Sequence, residues 1–419
     1  MRLPPRHGPA DQPASQSPGE EASAAALESE RVSARSVVLK ALRHALNHPD
    51  GAPAPTPASP PMEAQAVLKA VRRHRLAIVL APHAEALGWP VEAVARMREE
   101  ARRQHLAALP LIAASLEVWA ALQAAGLRAL LLKGPALAQQ TTGKAWSRGG
   151  GDVDVLVDPA DLPAAVAVLE GLGYSSPPGL FPRDLTSPWG RYARWASHEL
   201  SLCRDGSPWL DLHWALNTVR APLPSFEILW REREEVVLNG RSVPTLCRRH
   251  AFMHACLHAA SDQWMDLRHL LDLARLAPAL PPREGEGLRR RKTVRMSCAA
   301  AHDATGLEAL LRCTDLRRPD CRRAIARARW TQQRPPRATA DGAWHLGHWW
   351  HTVVHRASLS GSPIDWLRVI ARFSLVPAAF NDPLTGRDVG LVGVLRARRR
   401  RLRERLGGNR LAKSSPASP

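Results

Sequence analysis

The chain lacks the short signatures that assign common chemistries at a glance. Its six cysteines (Cys203, Cys247, Cys256, Cys298, Cys313 and Cys321) contain no Cys-x-x-Cys pair. That spacing argues against a zinc ribbon or a thioredoxin-type centre and leaves reduced, mostly buried thiols as the expectation. There is no Walker A loop, no Gly-x-Gly-x-x-Gly and no Gly-x-Ser-x-Gly elbow, so P-loop, dinucleotide-binding and serine-hydrolase chemistries lose their usual support. Ser197-His198-Glu199 does not make a nucleophilic triad by adjacency alone. No internal repeat is visible. The start lacks the unbroken apolar core of a secretory signal, and no later segment reads as long enough to span a bilayer. The expectation is a cytoplasmic protein without a membrane partner.

What is present bounds the rest. At 419 residues, 45% of them hydrophobic, the chain has room for two or three domains and an ample core. The net charge of +19 allows a nucleic-acid partner, but it comes overwhelmingly from arginine, amid abundant alanine, glycine and proline that suggest a biased coding composition. The sharpest basic cluster, Arg396 to Arg405, reads as a solvated helix end and tail, with a polyanion contact as the alternative. Residues 1–61 are rich in Pro, Ala, Ser and Gly and read as a disordered leader, with a transient helix over 33–47. Residues 62–125 carry helical spacing, broken at Trp89-Pro90, followed by an amphipathic helix through Glu99 and Arg103 and a separate apolar helix from Leu111 to Ala124.

A small α/β core follows over 126–247. Leu127 to Leu132 is a buried strand running into Lys133-Gly134, and Val153 to Val157 is a second. Asp158-Pro159 starts a helix that ends at Leu172 before Gly173. His198 to Cys203, Asp205-Gly206 and Trp209 to Trp214 form a hairpin, and Ser242 to Leu246 a last strand. Helices resume over 248–395, before the basic end at 396–419. The fold class is therefore α+β: a small mixed-sheet core between helical N- and C-terminal regions.

Chemistry concentrates in Leu132-Lys133-Gly134 and in Arg148-Gly-Gly-Gly-Asp152-Val-Asp154-Val-Leu-Val157. Alternate strand residues share a face, so Asp152 and Asp154 project together, about 7 Å apart, while Val153, Val155 and Val157 are buried on the other side. Paired carboxylates suit hard divalent cations, and a third acid with a nucleotide would complete a phosphoryl- or nucleotidyl-transfer site. On the hairpin, Asp211 and His213 share the polar face. His250, His254 and His258 share one helix face, where packing is preferred over a metal site for want of a fourth ligand. His348, His351 and His355, with three tryptophans around them, read as aromatic packing, the sharper option being a base-stacking wall.

Together these elements resemble the nucleotidyltransferase fold of the DNA polymerase β superfamily. They are more closely similar to a family of bacterial uncharacterised nucleotidyltransferases, whose pattern is Leu-Lys-Gly, then Arg-x-x-x-Asp-x-Asp-x-Leu-Val. A helix ending in Leu172-Gly173-Tyr174, a strand ending in Leu212-His213-Trp214, a His-rich helix from His250 to His258 and the segment Trp264 to Leu276 extend the likeness. The resemblance implies transfer of a nucleoside monophosphate from a triphosphate, ATP foremost, to a hydroxyl acceptor with two Mg²⁺ ions. It implies Asp152, Asp154 and Asp211 as metal ligands and catalytic carboxylates, with Lys133, Gly134 and Arg148 toward the nucleotide. His213 would orient Asp211 or the acceptor. The acceptor is a small molecule or, as in toxin–antitoxin relatives, a tRNA or protein. A non-catalytic binding module is the remaining alternative, which three intact aspartates oppose. Lys133-Gly134-Pro135 stands where the wider superfamily has Gly-Ser.

Overall fold

A computed structural model of the chain describes residues 34–48, 64–177, 182, 184–220, 223–333, 346–360 and 362–375. Six strands form one mixed sheet: β1 (Ala129–Leu131), β2 (Asp152–Val157), β3 (Glu199–Leu202), β4 (Trp209–His213), β5 (Glu234–Leu238) and β6 (Arg241–Thr245). Their order is β3-β4-β2-β1-β6-β5. β2 runs parallel to β4 and antiparallel to β1; β1 runs parallel to β6; the β3–β4 and β5–β6 pairs are hairpins. The α+β class and the mixed sheet match the sequence reading.

β5 is absent from the sequence reading, although its signal is there. Asn239-Gly240 joins β5 to β6 with φ of 47° and 78°, the left-handed pair that a two-residue hairpin turn requires. Another difference lies after β2. Asp158 caps a turn through Ala160 N (2.8 Å), and the helix α6 (Leu162–Gly171) begins only at Leu162, with Pro163 in its first turn.

The alternation of β2 splits the interior in two. Val153, Val155 and Val157 join Leu200, Leu202, Leu210 and Leu212 on one face, covered by α4 (Val91–Ala124) and α6. Leu130 and Leu156 face the opposite core, built from α9 (Arg248–Ser261), α10 (Leu267–Leu276) and α12 (Lys292–Thr305). Asp152 and Asp154 share the face of Leu156. The carboxylate face therefore looks toward the C-terminal helices.

α4 corrects two expectations. It is one helix of 34 residues, not two, and it is long and apolar enough by length and composition to cross a membrane. Pro110 lies inside it and cannot donate to the carbonyl of Leu106, a residue 55% exposed. Water can serve that carbonyl, so the helix continues. Its apolar character has a use within the protein: Leu111, Val118 and Leu122 are buried beneath the sheet, each contributing about 2 kcal/mol.

The segment 34–47 is a further correction. It forms a helix, α1, whose Val38 and Leu42 are fully buried, because its apolar stripe finds a partner in the C-terminal helices that the segment alone lacks. Arg43 tethers it to the Asp303 and Ala304 carbonyls. The remaining leader, the run Arg396 to Arg405, and the side chains of His348 and His351 lie outside the described residues. His355 packs edge-on against Trp264 and contacts the Ala260 carbonyl at 2.7 Å.

Burial also sets an acid limit. Burial, reinforced by Arg73 and Arg35, lowers the His74 pKa to about 3, well under the ordinary 6.5. Below pH 6.5 the unfolded chain takes up a proton there that the folded chain refuses, so stability falls as pH drops from 6.5 toward 3. His198, lowered to about 4 chiefly by burial, acts in the same direction. Thermal melts should show this decline, and His74→Gln should flatten it by about one proton; an unchanged slope would exclude His74 as a source.

Candidate active site

The register of β2 against β4 assembles the site. Asp154 lies opposite Asp211, Leu156 opposite His213 and Asp152 opposite Trp209. β3 extends the same face, with Ser201 opposite Asp211 and Glu199 opposite His213. Six polar side chains from three strands thus share one surface: Asp152, Asp154, Ser201, Glu199, Asp211 and His213.

Asp154 is its electrostatic centre. Its Oδ1 accepts from Lys133 Nζ at 2.9 Å and lies 3.0 Å from His213 Nε2. Burial pushes the Asp154 carboxyl up, but the Lys133 ammonium and the His213 contact more than reverse this and hold it far below the carboxylate range. Burial would likewise strip the Lys133 proton, and Asp154 keeps the ammonium charged. Lys133 reaches this position from a turn in which it and Gly134 both have positive φ, 26° and 44°. A residue with a Cβ would be strained at Gly134, so the sequence Lys-Gly is the local requirement for the turn.

Asp211 behaves in the opposite way. Burial and the neighbouring Glu199 raise its pKa to about 6, against the Ser201 hydroxyl, which donates to Oδ1 at 2.6 Å. Its carboxylate is held among like charges without a cation of its own among the described residues. Asp154, Asp211 and His213 each present a ligand atom, all within 4.8 Å of one another. The two carboxylates, one of them short of positive charge, offer hard oxygen donors for a divalent ion such as Mg²⁺, with the His213 nitrogen as the softer neighbour.

Two residues stand elsewhere than the sequence suggests. The expectation for His213 is a contact with Asp211 or the acceptor; it contacts Asp154 instead, because the parallel register offsets it by one pair. Arg148 makes a buried bidentate pair with Asp272 on α10, at 2.9–3.0 Å. Of the six residues singled out from sequence, the structure brings together Asp152, Asp154, Asp211, Lys133 and Gly134, while Arg148 is paired with Asp272.

Glu199 and Arg372 escape the sequence reading. Burial raises the Glu199 carboxyl, and His198, His213 and Arg372 hold it well below its usual range. Arg372, on α15 (Pro363–Leu375), lies 3.4 Å from Glu199 and donates to Ser197 Oγ at 2.5 Å. Hairpin pairing of Glu199 with His213 could have been read from the strands. Arg372, 173 residues further on, carries no local signal.

With this geometry in view, a family model described as uncharacterised nucleotidyltransferase matches residues 60–301. The chain belongs to that family. The match begins after α1 and spans α4, the whole sheet, α9 and α10, so the carboxylate face lies within it. Among curated proteins, none matches this chain. As a member of the family the protein is a transferase, and a nucleoside triphosphate is its implied substrate.

Proposed function

We propose that this nucleotidyltransferase moves a nucleoside monophosphate from a triphosphate, ATP foremost, to a hydroxyl-bearing acceptor, and that it acts in the cytoplasm. One observation carries the reading: parallel pairing of β2 with β4 sets Asp154 against Asp211, with Asp152 on the same face. Two Mg²⁺ ions held by Asp152, Asp154 and Asp211 would offset the triphosphate charge and ease ionisation of the acceptor hydroxyl.

The chain's own groups supply the rest. The Lys133-Gly134 turn offers backbone that phosphates can approach closely and an ammonium to meet the departing pyrophosphate. Asp272 engages Arg148 and Asp154 engages Lys133; in this reading Lys133 turns to the phosphates as metal ions take up the Asp154 carboxylate. Glu199, His198 and Arg372 line the β3 side, where they orient an acceptor. In the transfer, the acceptor hydroxyl releases its proton to water, its oxygen bonds to the α-phosphorus, the α–β bridging P–O bond breaks, and pyrophosphate leaves. The six unpaired thiols fit a reducing compartment.

The test is incubation with α-labelled nucleotides, Mg²⁺ and cell extract, followed by a search for label on any acceptor. Label should appear with the wild-type chain and vanish with Asp152→Asn/Asp154→Asn, a pair whose folding is checked by circular dichroism. Equal labelling by the folded double variant would sink the proposal.

A further inference from the structure

A second cluster, whose histidines line a cavity that also holds Lys133 and Arg148, occupies the turn between α9 and α10. His258 Nε2 lies 3.6 Å from Asp262 Oδ2, and His269 Nδ1 lies 3.9 Å from the same oxygen. All three ligand atoms fall within 4.8 Å of one another. None of these separations is a hydrogen bond. They are close to those around a tetrahedral ion, whose ligands at about 2.0–2.2 Å stand roughly 3.3–3.6 Å apart.

Two independent observations point the same way. Among the described residues, His269 Nδ1 is buried without a hydrogen-bond partner, and it faces Asp262. An orphaned buried ring nitrogen costs about 1–3 kcal/mol unless something fills its lone pair. The turn itself is strained: Gln263 and Trp264 have φ of 56° and 54°, successive left-handed residues with neither a glycine. The neighbouring helices enforce that backbone. Thr331 donates to the Gln263 carbonyl at 2.9 Å, Gln332 to the Trp264 carbonyl at 2.9 Å, and the Trp264 ring nitrogen to Ser297 at 2.8 Å. Strain held this firmly is a feature of functional turns, and here it brings the end of α9 against the start of α10.

We infer that His258, Asp262 and His269 bind one divalent transition-metal ion, zinc by donor chemistry, at the α9–α10 turn. Two imidazoles with one carboxylate leave an open position and disfavour Mg²⁺, which avoids nitrogen ligands. Neither histidine comes within hydrogen-bond distance of Asp262, so an ordinary His–Asp pair does not account for the cluster. The surrounding cations are matched by carboxylates: Lys133 by Asp154, Arg148 by Asp272 and Arg268 by Asp266. Arg356 approaches the other Asp262 oxygen, Oδ1, at 3.5 Å and leaves Oδ2 to the histidines. His258 and Asp262 side chains are 28% and 30% exposed, which gives an ion a way in.

The site goes beyond the transfer reading and is tested without measuring transfer. The purified full chain, stripped with chelator, is titrated with Co²⁺ and followed by visible absorption, then by displacement with Zn²⁺. Wild type should develop ligand-field bands at one equivalent, bleached by Zn²⁺ and indifferent to millimolar Mg²⁺. His258→Gln and Asp262→Asn, changes at partly exposed positions, should weaken binding by at least about 100-fold. His269→Asn should do the same if it folds. Asp211→Asn, which leaves the Lys133–Asp154 pair intact, should bind Co²⁺ as wild type does, separating this site from the carboxylate face. Absence of bands in wild type, or unchanged bands in folded His258→Gln, overturns the inference.

Discussion

Asp211→Asn should lower nucleotidyl transfer by about 10²–10³-fold while making the protein more stable. The two effects share one cause. Burial and Glu199 raise the Asp211 pKa to about 6 from an ordinary 3.8, so the folded state disfavours its carboxylate. Below 3.8 the group is protonated in folded and unfolded chains alike and costs nothing. As pH rises through 3.8 to 6, the unfolded chain ionises first, and above 6 the full cost, about 3 kcal/mol, is present. An amide carries no such cost and still accepts from Ser201. Melts in EDTA should therefore show the variant gaining stability over wild type between pH 4 and 6 and keeping the gain at pH 7. Millimolar Mg²⁺ should narrow the gap, because an ion compensates only the carboxylate. A variant less stable than wild type at pH 7 would mean that Asp211 is a structural partner of Ser201.

Arg148→Met should be the most damaging single change to stability, at about 3–5 kcal/mol. Arg148 and Asp272 are 6% and 5% exposed, and three contacts of 2.9–3.0 Å join them. Removing the guanidinium leaves a carboxylate buried without a counter-charge, which costs more than the pair is worth. Arg148→Met/Asp272→Leu should recover most of the loss, since neither charge then remains. Denaturant midpoints of the two variants decide the matter. If Arg148 instead served the triphosphate, the single variant would raise the KM for nucleotide with its midpoint unchanged.

The distinction between Arg148 and the aspartates shows what a sequence of this kind discloses. Asp152, Asp154 and the valines between them follow a period-2 rule within one strand, so their common face is legible from the residues alone. The place of Asp211 in that group rests on pairing, yet its strand and polar face are readable, and a parallel neighbour completes the inference. Arg148 sits beside the aspartates in sequence but is paired with Asp272, 124 residues on. The fate of α1 is similarly hidden, because Val38 and Leu42 find their burial against helices more than 250 positions later, near Ala304. Local periodicity carries the elements; charge pairing between distant helices carries the orientation of their polar side chains. Asn239-Gly240 is the exception, a local hairpin signal masked because β5 opens on two glutamates.

The distance from Arg148 to Asp272 also has a temporal meaning. At about 5–20 residues per second, a ribosome needs roughly 6–25 s to make the chain between them. For that interval the strand bearing Asp152 and Asp154 exists, but the helices that cover its acidic face do not, and Arg372 arrives later still. Nucleotide chemistry should therefore be absent from nascent chains and switch on only when the C-terminal helices dock. Ribosome-bound chains stalled before α10 would carry every aspartate of the site and bind no nucleotide.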